Sequence, residues 1–301
     1  MTDKRDSTNT HIAAVTVLGT GILGSQIAYQ TAYSGFDVVA YDINDEALTA
    51  AKERFAGLAA AYKQQVKGAA DGRADAALKR ITYQTEVGRA VAKADLVIEA
   101  IPEKLELKRE TYRKIGALAP AKTIFATNTS TLLPSDLMES TGRPERFLAL
   151  HFANQIWVHN TAEVMGTTRT DPDVYRTIVA FAAAIGMVPI ELKKEHPRYI
   201  LNSLMAPWLD DALGLYMNGV AEPETVDKTW RIATGAPLGP FQILDLIGLT
   251  TIYNVDAAGN DDQRRLARFL KDNYIDKGKL GVHSGEGFYS YHRDPEGSHR
   301  P

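Results

Sequence analysis

The stretch VTVLGTGILGSQIA, residues 15–28, constrains this chain more than any other. Its Gly19, Gly21 and Gly24 form a GxGxxG run that follows a strand pattern and opens a helix pattern. Glycine is wanted there because the turn is tight, a pyrophosphate must reach the backbone, and the helix must pack on its strand. The first turn of that helix then offers N–H groups and a positive dipole end to phosphate. Gly19, Gly21, Ile22, Leu23 and Gly24 are therefore the expected phosphate loop. A bare GxGxxG also occurs in flexible loops, where a carboxylate downstream would be only a solvated charge. What selects the nucleotide reading is Asp42, eighteen residues past Gly24 at the end of the next strand pattern, where a carboxylate can accept both ribose hydroxyls. Asp42 would repel a 2′-phosphate, and Ile43, Asn44 and Asp45 bring no arginine to reverse that. The expected cofactor is NAD.

Such a loop belongs to a parallel sheet, and the rest of the chain supplies one. Val/Ile-rich runs at 14–18, 38–41, 81–84, 96–100, 123–126, 147–151, 162–165 and 188–192 alternate with amphipathic or Ala-rich stretches, the pattern of strand and helix units. Residues 46–79 read as a projecting helical hairpin broken at Gly68 and Gly72. After Lys194 the texture turns to helix-like segments. The fold class is thus α/β: an N-terminal Rossmann-type dinucleotide-binding domain at 12–194 with a helical hairpin insertion, followed by an all-α C-terminal domain at 195–292. The polar ends, 1–11 and 293–301, read as disordered tails. A length of 301 residues agrees with two domains of roughly 150 each.

Composition narrows the function. Thirty-four Lys and Arg against 37 Asp and Glu, a net charge of −3, leave no broad basic field for nucleic acid. The apolar runs fall far short of the ~18 residues that a membrane-spanning helix needs. A chain without cysteine has no disulfide, thiolate nucleophile or cysteine metal site, and suits a reducing cytoplasm. No histidine pair at HxxxH or similar spacing marks a metal site, so none is expected. The expected partner is a small-molecule substrate, with no nucleic acid and no membrane.

Downstream of the loop, VIEAIPEKLELK, ATNTSTLLPSDL, LALHFAN, AEVMG, ILNSL, GAPLGPFQILDLIGL and GEGFYSY follow in order. Together they resemble the NAD-dependent 3-hydroxyacyl-CoA dehydrogenase family over 15–291. The resemblance implies hydride transfer between a 3-hydroxyacyl-CoA and a 3-ketoacyl-CoA, with a catalytic dyad at His151 and Glu163 on adjacent strand ends. The residue types suit that chemistry. An imidazole, titrating near ~6.5, can take the alcohol proton as hydride leaves. A carboxylate on its other nitrogen fixes the tautomer and stabilises the imidazolium. Taken alone, the same two residues read as a packed histidine and a strand-edge charge. The resemblance further implies Ser130 and Asn154 near the substrate oxygen and nicotinamide, Asn202 contributed by the helical domain, and Glu103 and Lys108 helping to hold the cofactor. Without it, Asn128, Ser130 and Thr131 would read as a turn or cap and Lys108 as a solvated helix charge. A homodimer is expected, mainly from the resemblance.

Two stretches depart from the family pattern. The family follows its His-Phe with an aromatic and Asn-Pro, whereas here Phe152 leads to Ala153, Asn154 and Gln155, which alters the pocket floor. In the hairpin, Leu58 and Gln65 stand where many members carry a Ser and a Lys that contact CoA, with Lys52, Lys63 and Lys67 as nearby cations. HFANQIWV and WRIATGAPLGPF resemble the branch containing bacterial diketoreductases, which reduce β-keto esters not attached to CoA. An NADH-dependent reductase of free β-keto or β,δ-diketo esters is therefore the alternative enzyme, and a non-catalytic NAD-binding protein the alternative of another class.

Overall fold

The computed structural model describes residues 12–291, so the tails expected at 1–11 and 293–301 lie outside the described residues. The chain divides between Ile200 and Leu201 into two units. In the first, the strands are β1 Ala14–Leu18, β2 Asp37–Tyr41, β3 Ile81–Gln84, β4 Leu96–Glu99, β5 Ile124–Thr127, β6 Phe147–Phe152, β7 Thr161–Gly166 and β8 Val188–Leu192. They form one sheet in the order β3-β2-β1-β4-β5-β6-β7-β8. Pairing is parallel throughout except between β6 and β7. The helices are α1 Ile22–Tyr33, α2 Asp45–Gln65, α3 Arg73–Leu78, α4 Val87–Val91, α5 Leu105–Leu118 and α6 Pro172–Ala184.

Every residue of β4, β5 and β6 is buried, as expected of strands with helices on both faces. Alternate residues feed separate cores. Leu96 and Ile98 pack with α1 and α2 residues such as Ile27 and Phe55, while Val97 packs with Val87, Tyr112 and Ile115 from α4 and α5. The order reverses at β1, between β2 and β4, and ligands of open α/β sheets bind at such a switch point beyond the carboxyl ends of the strands.

The hairpin breaks at Gly68 and Gly72 as expected, but it does not project. Phe55, Ala59 and Tyr62 of α2 and Ala74 and Ala77 of α3 are buried in the core that contains α1, and the Tyr29 hydroxyl donates to the Ala74 carbonyl at 2.7 Å. Alanine lets the helices approach closely enough for that packing, a feature that alanine richness alone does not announce.

The second unit consists of α7 Leu201–Met217, α8 Pro223–Thr234, α9 Pro240–Ile247, α10 Leu249–Ala257 and α11 Asp261–Asn273, around Leu209, Leu213, Phe241, Leu244 and Leu270. Two buried aspartates tie its sequence blocks together. Asp227 accepts the Phe241 and Gln242 N–H groups at 2.8 and 3.0 Å, capping α9. Asp245 accepts the Phe288 and Tyr289 N–H groups and the Tyr291 hydroxyl at 2.9, 3.0 and 2.9 Å. GPFQILDLIGL and GEGFYSY, distant in sequence, thus make one knot. Among the described residues, no helix is long and apolar enough to cross a membrane.

Candidate active site

The glycines after β1 are of two kinds. Gly19 turns at φ +90°, and a Cβ on it would stand 2.6 Å from the Ala100 carbonyl oxygen. A Cβ on Gly24 would meet the Gly19 oxygen at 2.0 Å. The protein itself demands those two. Gly21 differs: its φ is an ordinary −60°, and a Cβ there would touch nothing within 4 Å. Its bare backbone is explained by a ligand that must come close. α1 starts at this point without a side-chain cap, leaving its first N–H groups for phosphate. Ile22 is exposed and Leu23 half-buried. Asp42 is held in place by the Thr20 N–H and hydroxyl, which donate to Oδ2 at 2.8 and 2.6 Å, and by the Ile43 N–H, which donates to Oδ1 at 2.8 Å. Acceptor capacity remains on Oδ1 for a ribose hydroxyl. These residues fit a dinucleotide.

The antiparallel register of β6 and β7 sets His151 directly opposite Glu163. Nδ1 of His151 lies 2.9 Å from Glu163 Oε2, and both side chains are buried. A carboxylate at Nδ1 holds the proton on that nitrogen, which leaves Nε2 as the basic one. Glu163 Oε1 accepts the Ile200 N–H at 2.8 Å. The Tyr199 ring stacks on the imidazole with centroids 4.3 Å apart and planes 15° from parallel. Arg198 and Tyr199 hold φ of +67° and +56°, left-handed conformations that cost a non-glycine residue of order 1–3 kcal/mol. Sequence reasoning does not find Tyr199 or Ile200, because nothing in the letters marks that turn.

On the other nitrogen, Ser130 Oγ lies 3.2 Å from Nε2. Glu103 holds the turn that carries this serine. Its Oε1 accepts the Ser130 and Thr131 N–H groups at 2.9 Å each and the Thr131 hydroxyl at 3.0 Å, together with the Thr129 hydroxyl. Burial pushes the Glu103 carboxyl up, but the Lys108 ammonium and these donors outweigh it and bring it down to about 2. Asn128 Oδ1 accepts the Phe152 N–H at 2.9 Å, fastening the same turn beside His151.

Lys108 is not the solvated helix charge that its sequence position alone suggests. It is 1% exposed. Its ammonium donates to Glu99 Oε1 at 2.5 Å, Glu103 Oε2 at 3.1 Å and the Ile101 carbonyl at 3.3 Å. An ammonium has three donors, matching these three acceptors. Asn154 is exposed just beyond β6. Asn202 is half-buried in the first turn of α7, in the second unit.

Two family models match this architecture in tandem: that described as 3-hydroxyacyl-CoA dehydrogenase, NAD binding domain, over residues 14–196, and that described as 3-hydroxyacyl-CoA dehydrogenase, C-terminal domain, over residues 199–291. The chain belongs to the 3-hydroxyacyl-CoA dehydrogenase family. This dehydrogenase is 33% identical over 291 residues to the mitochondrial hydroxyacyl-coenzyme A dehydrogenase of Rattus norvegicus, covering 93% of this chain and 91% of that one. It is 32% identical over 287 residues to a probable 3-hydroxybutyryl-CoA dehydrogenase of Bacillus subtilis, covering 93% and 98%. A solved diketoreductase, studied for substrate-directed dual catalysis of dicarbonyl compounds, superposes with a TM-score of 0.89 at 65% identity, covering 93% of this chain and 99% of that one. The N-terminal unit is an NAD-binding domain of a family of oxidoreductases that act on CH–OH groups.

In this dehydrogenase the two departures from the family pattern touch each other. Gln155 stands where the pattern has proline and holds φ +58°, which a pyrrolidine ring locked near −65° cannot take. Its N–H donates to Gln26 Oε1 at 2.7 Å. Further along that loop, the Trp157 indole N–H donates to Gln65 Oε1 at 2.7 Å, and its ring lies 5.4 Å from that of Tyr62. Leu58 packs against the sheet core. Of the nearby cations, Lys63 is paired with Asp75 at 2.8 Å, Lys52 lies over the Tyr83 ring at 5.1 Å, and Lys67 is exposed.

Asp42→Ala in this dehydrogenase should narrow its preference for NADH over NADPH, by removing a ribose acceptor and lifting repulsion of a 2′-phosphate. The measurement is the ratio of kcat/KM for the two cofactors with one keto substrate. A ratio unchanged from the parent enzyme would take Asp42 out of the ribose site.

Proposed function

We propose that the enzyme interconverts a β-keto group and the corresponding β-hydroxyl on small dicarbonyl compounds, using NADH or NAD, without depending on a CoA handle. NAD, when bound, supplies the hydride acceptor. The chain's own part is the proton. In alcohol oxidation, Nε2 of His151 takes the hydroxyl proton as the C–H bond gives up its electron pair, and in ketone reduction it returns that proton to the carbonyl oxygen. Glu163 keeps the imidazole in the tautomer that frees Nε2 and compensates the imidazolium charge. Ser130 Oγ, beside Nε2, is placed to bond the reacting oxygen. Asn154 is the remaining polar group of the first unit proposed for the substrate and nicotinamide. The exposed apolar residues Leu204, Val220 and Ile232 give the helical unit a surface on which we place a second copy of the chain, and a monomer mass by sedimentation would rule that out.

The observation that carries the substrate reading is the Trp157–Gln65 hydrogen bond. It ties up the position where a CoA-contacting cation is expected, and Lys63 is ion-paired elsewhere. The 65% identity to a diketoreductase points the same way. A CoA thioester as the preferred substrate is the second reading, supported by the match to both family models and by the exposed Lys67. The kcat/KM for acetoacetyl-CoA is expected to exceed that for a matched ethyl ester by less than ~10³-fold, equivalent to about 4 kcal/mol of handle binding. A larger preference would restore the thioester reading, and neutralising Lys67 should then raise KM for the thioester alone.

A further inference from the structure

Glu99 ends β4 fully buried, and four donors converge on it. Oε1 accepts the Ile101 N–H at 3.0 Å and the Lys108 ammonium at 2.5 Å, while Oε2 accepts the hydroxyls of Thr127 at 2.8 Å and Tyr112 at 3.3 Å. Thr127 is the last residue of β5, at the root of the turn that carries Ser130. Lys108 reaches from Glu99 to Glu103, and Glu103 gathers the tip of that turn, Thr129 to Thr131. The turn is held at its root by Glu99 itself and at its tip through two further charges.

We propose that Glu99 is a positioning residue for the reaction, aiming Ser130 at Nε2 of His151 through Thr127 and through the Lys108–Glu103 pair. This rests on the reading of His151 and Ser130 given above. Glu99 touches no reacting atom. Its neighbours Val97 and Ile98 are fully buried, so an apolar residue would suit the same interior, and an internal ion pair is often no more stabilising than a well-packed apolar replacement. What the carboxylate adds is direction. With negative charge on both sides, the Lys108 ammonium is fixed between Glu99 and Glu103, and it pins one oxygen of Glu103 while the other faces the turn.

The test is a double-mutant cycle between Glu99→Gln and Ser130→Ala in the full-length enzyme, reading kcat and NADH affinity separately. Glu99→Gln is expected to lower kcat at least ~10-fold in the parent background and less than ~2-fold in Ser130→Ala, where the aimed hydroxyl is already gone. NADH affinity should stay within ~3-fold. Equal fold losses in both backgrounds, or a loss confined to NADH affinity, would overturn the proposal. Where Glu99→Gln fails to fold, Thr127→Val removes one of the clamps without adding volume, and the same cycle decides by the same criterion. Ser130→Ala alone reports on the underlying reading. Parental kcat in that variant removes Ser130 from the chemistry and the proposal with it, whereas a large loss on which Glu99→Gln then adds fully overturns the proposal only.

Discussion

Replacing His151 with glutamine should lower kcat by at least ~10²-fold while NADH affinity changes little, the scale of a general acid–base contribution. Glutamine preserves much of the side chain's length and polarity, so packing beneath Tyr199 is disturbed less than by alanine, and the loss reports proton transfer. Glu163→Gln should be damaging as well, since an amide at 2.9 Å from Nδ1 can no longer hold the tautomer or balance the imidazolium. Because the two residues act as one unit, the double variant should be little worse than His151→Gln alone. Steady-state kinetics with any accepted keto substrate, alongside NADH titration, supplies the numbers. A His151→Gln enzyme with near-parental kcat would sink the dyad assignment.

The second large effect separates two glycines of one motif. Gly24→Ala puts a methyl 2.0 Å from the Gly19 carbonyl oxygen. The nearest atoms it meets belong to the Gly19 backbone, so the loop or α1 must shift. Overpacking of this sort costs about 1–3 kcal/mol or more, or roughly 2–10 °C in Tm for a unit of this size, and NADH binding should fall with it. Gly21→Ala meets nothing within 4 Å at an ordinary φ, so Tm should hold while NADH affinity still drops at least ~10-fold because a methyl stands in the path of the pyrophosphate. Thermal melts of the free enzyme beside NADH titrations distinguish the cases. Unchanged NADH affinity in Gly21→Ala would take the nucleotide away from this loop.

The sheet is readable from sequence because strands covered on both faces leave uninterrupted apolar runs, as Leu96 to Ile98 and Phe147 to Leu150 do. The phosphate loop is readable because glycine announces itself. His151 and Glu163 come from family blocks, but a spacing of twelve does not state that they oppose each other across a ladder. Glu99 lies within VIEAIPEKLELK, and a carboxylate closing a buried strand needs a cation nearby. Lys108 answers that need, yet a lysine on an amphipathic helix reads as solvated because most are. Tyr199 left no trace, as tertiary packing imposes its left-handed backbone and no glycine flags it. The Trp157–Gln65 bond joins residues 92 apart, each readable only as an isolated oddity.

Because His151 and Glu163 are rungs of one ladder, their separation is inherited from strand spacing. Deleting one residue inside β6 or β7 would slide the register and turn His151 or Glu163, respectively, to the opposite sheet face, so these strands should be brittle in a deletion scan even where single substitutions survive. The loop at 153–160, lying between the same strands, is not part of that ladder, so its exposed positions, such as Val158, can change and leave the register intact. Descendants of such an enzyme can therefore diversify what they accept by reshaping that loop while their proton chemistry stays frozen.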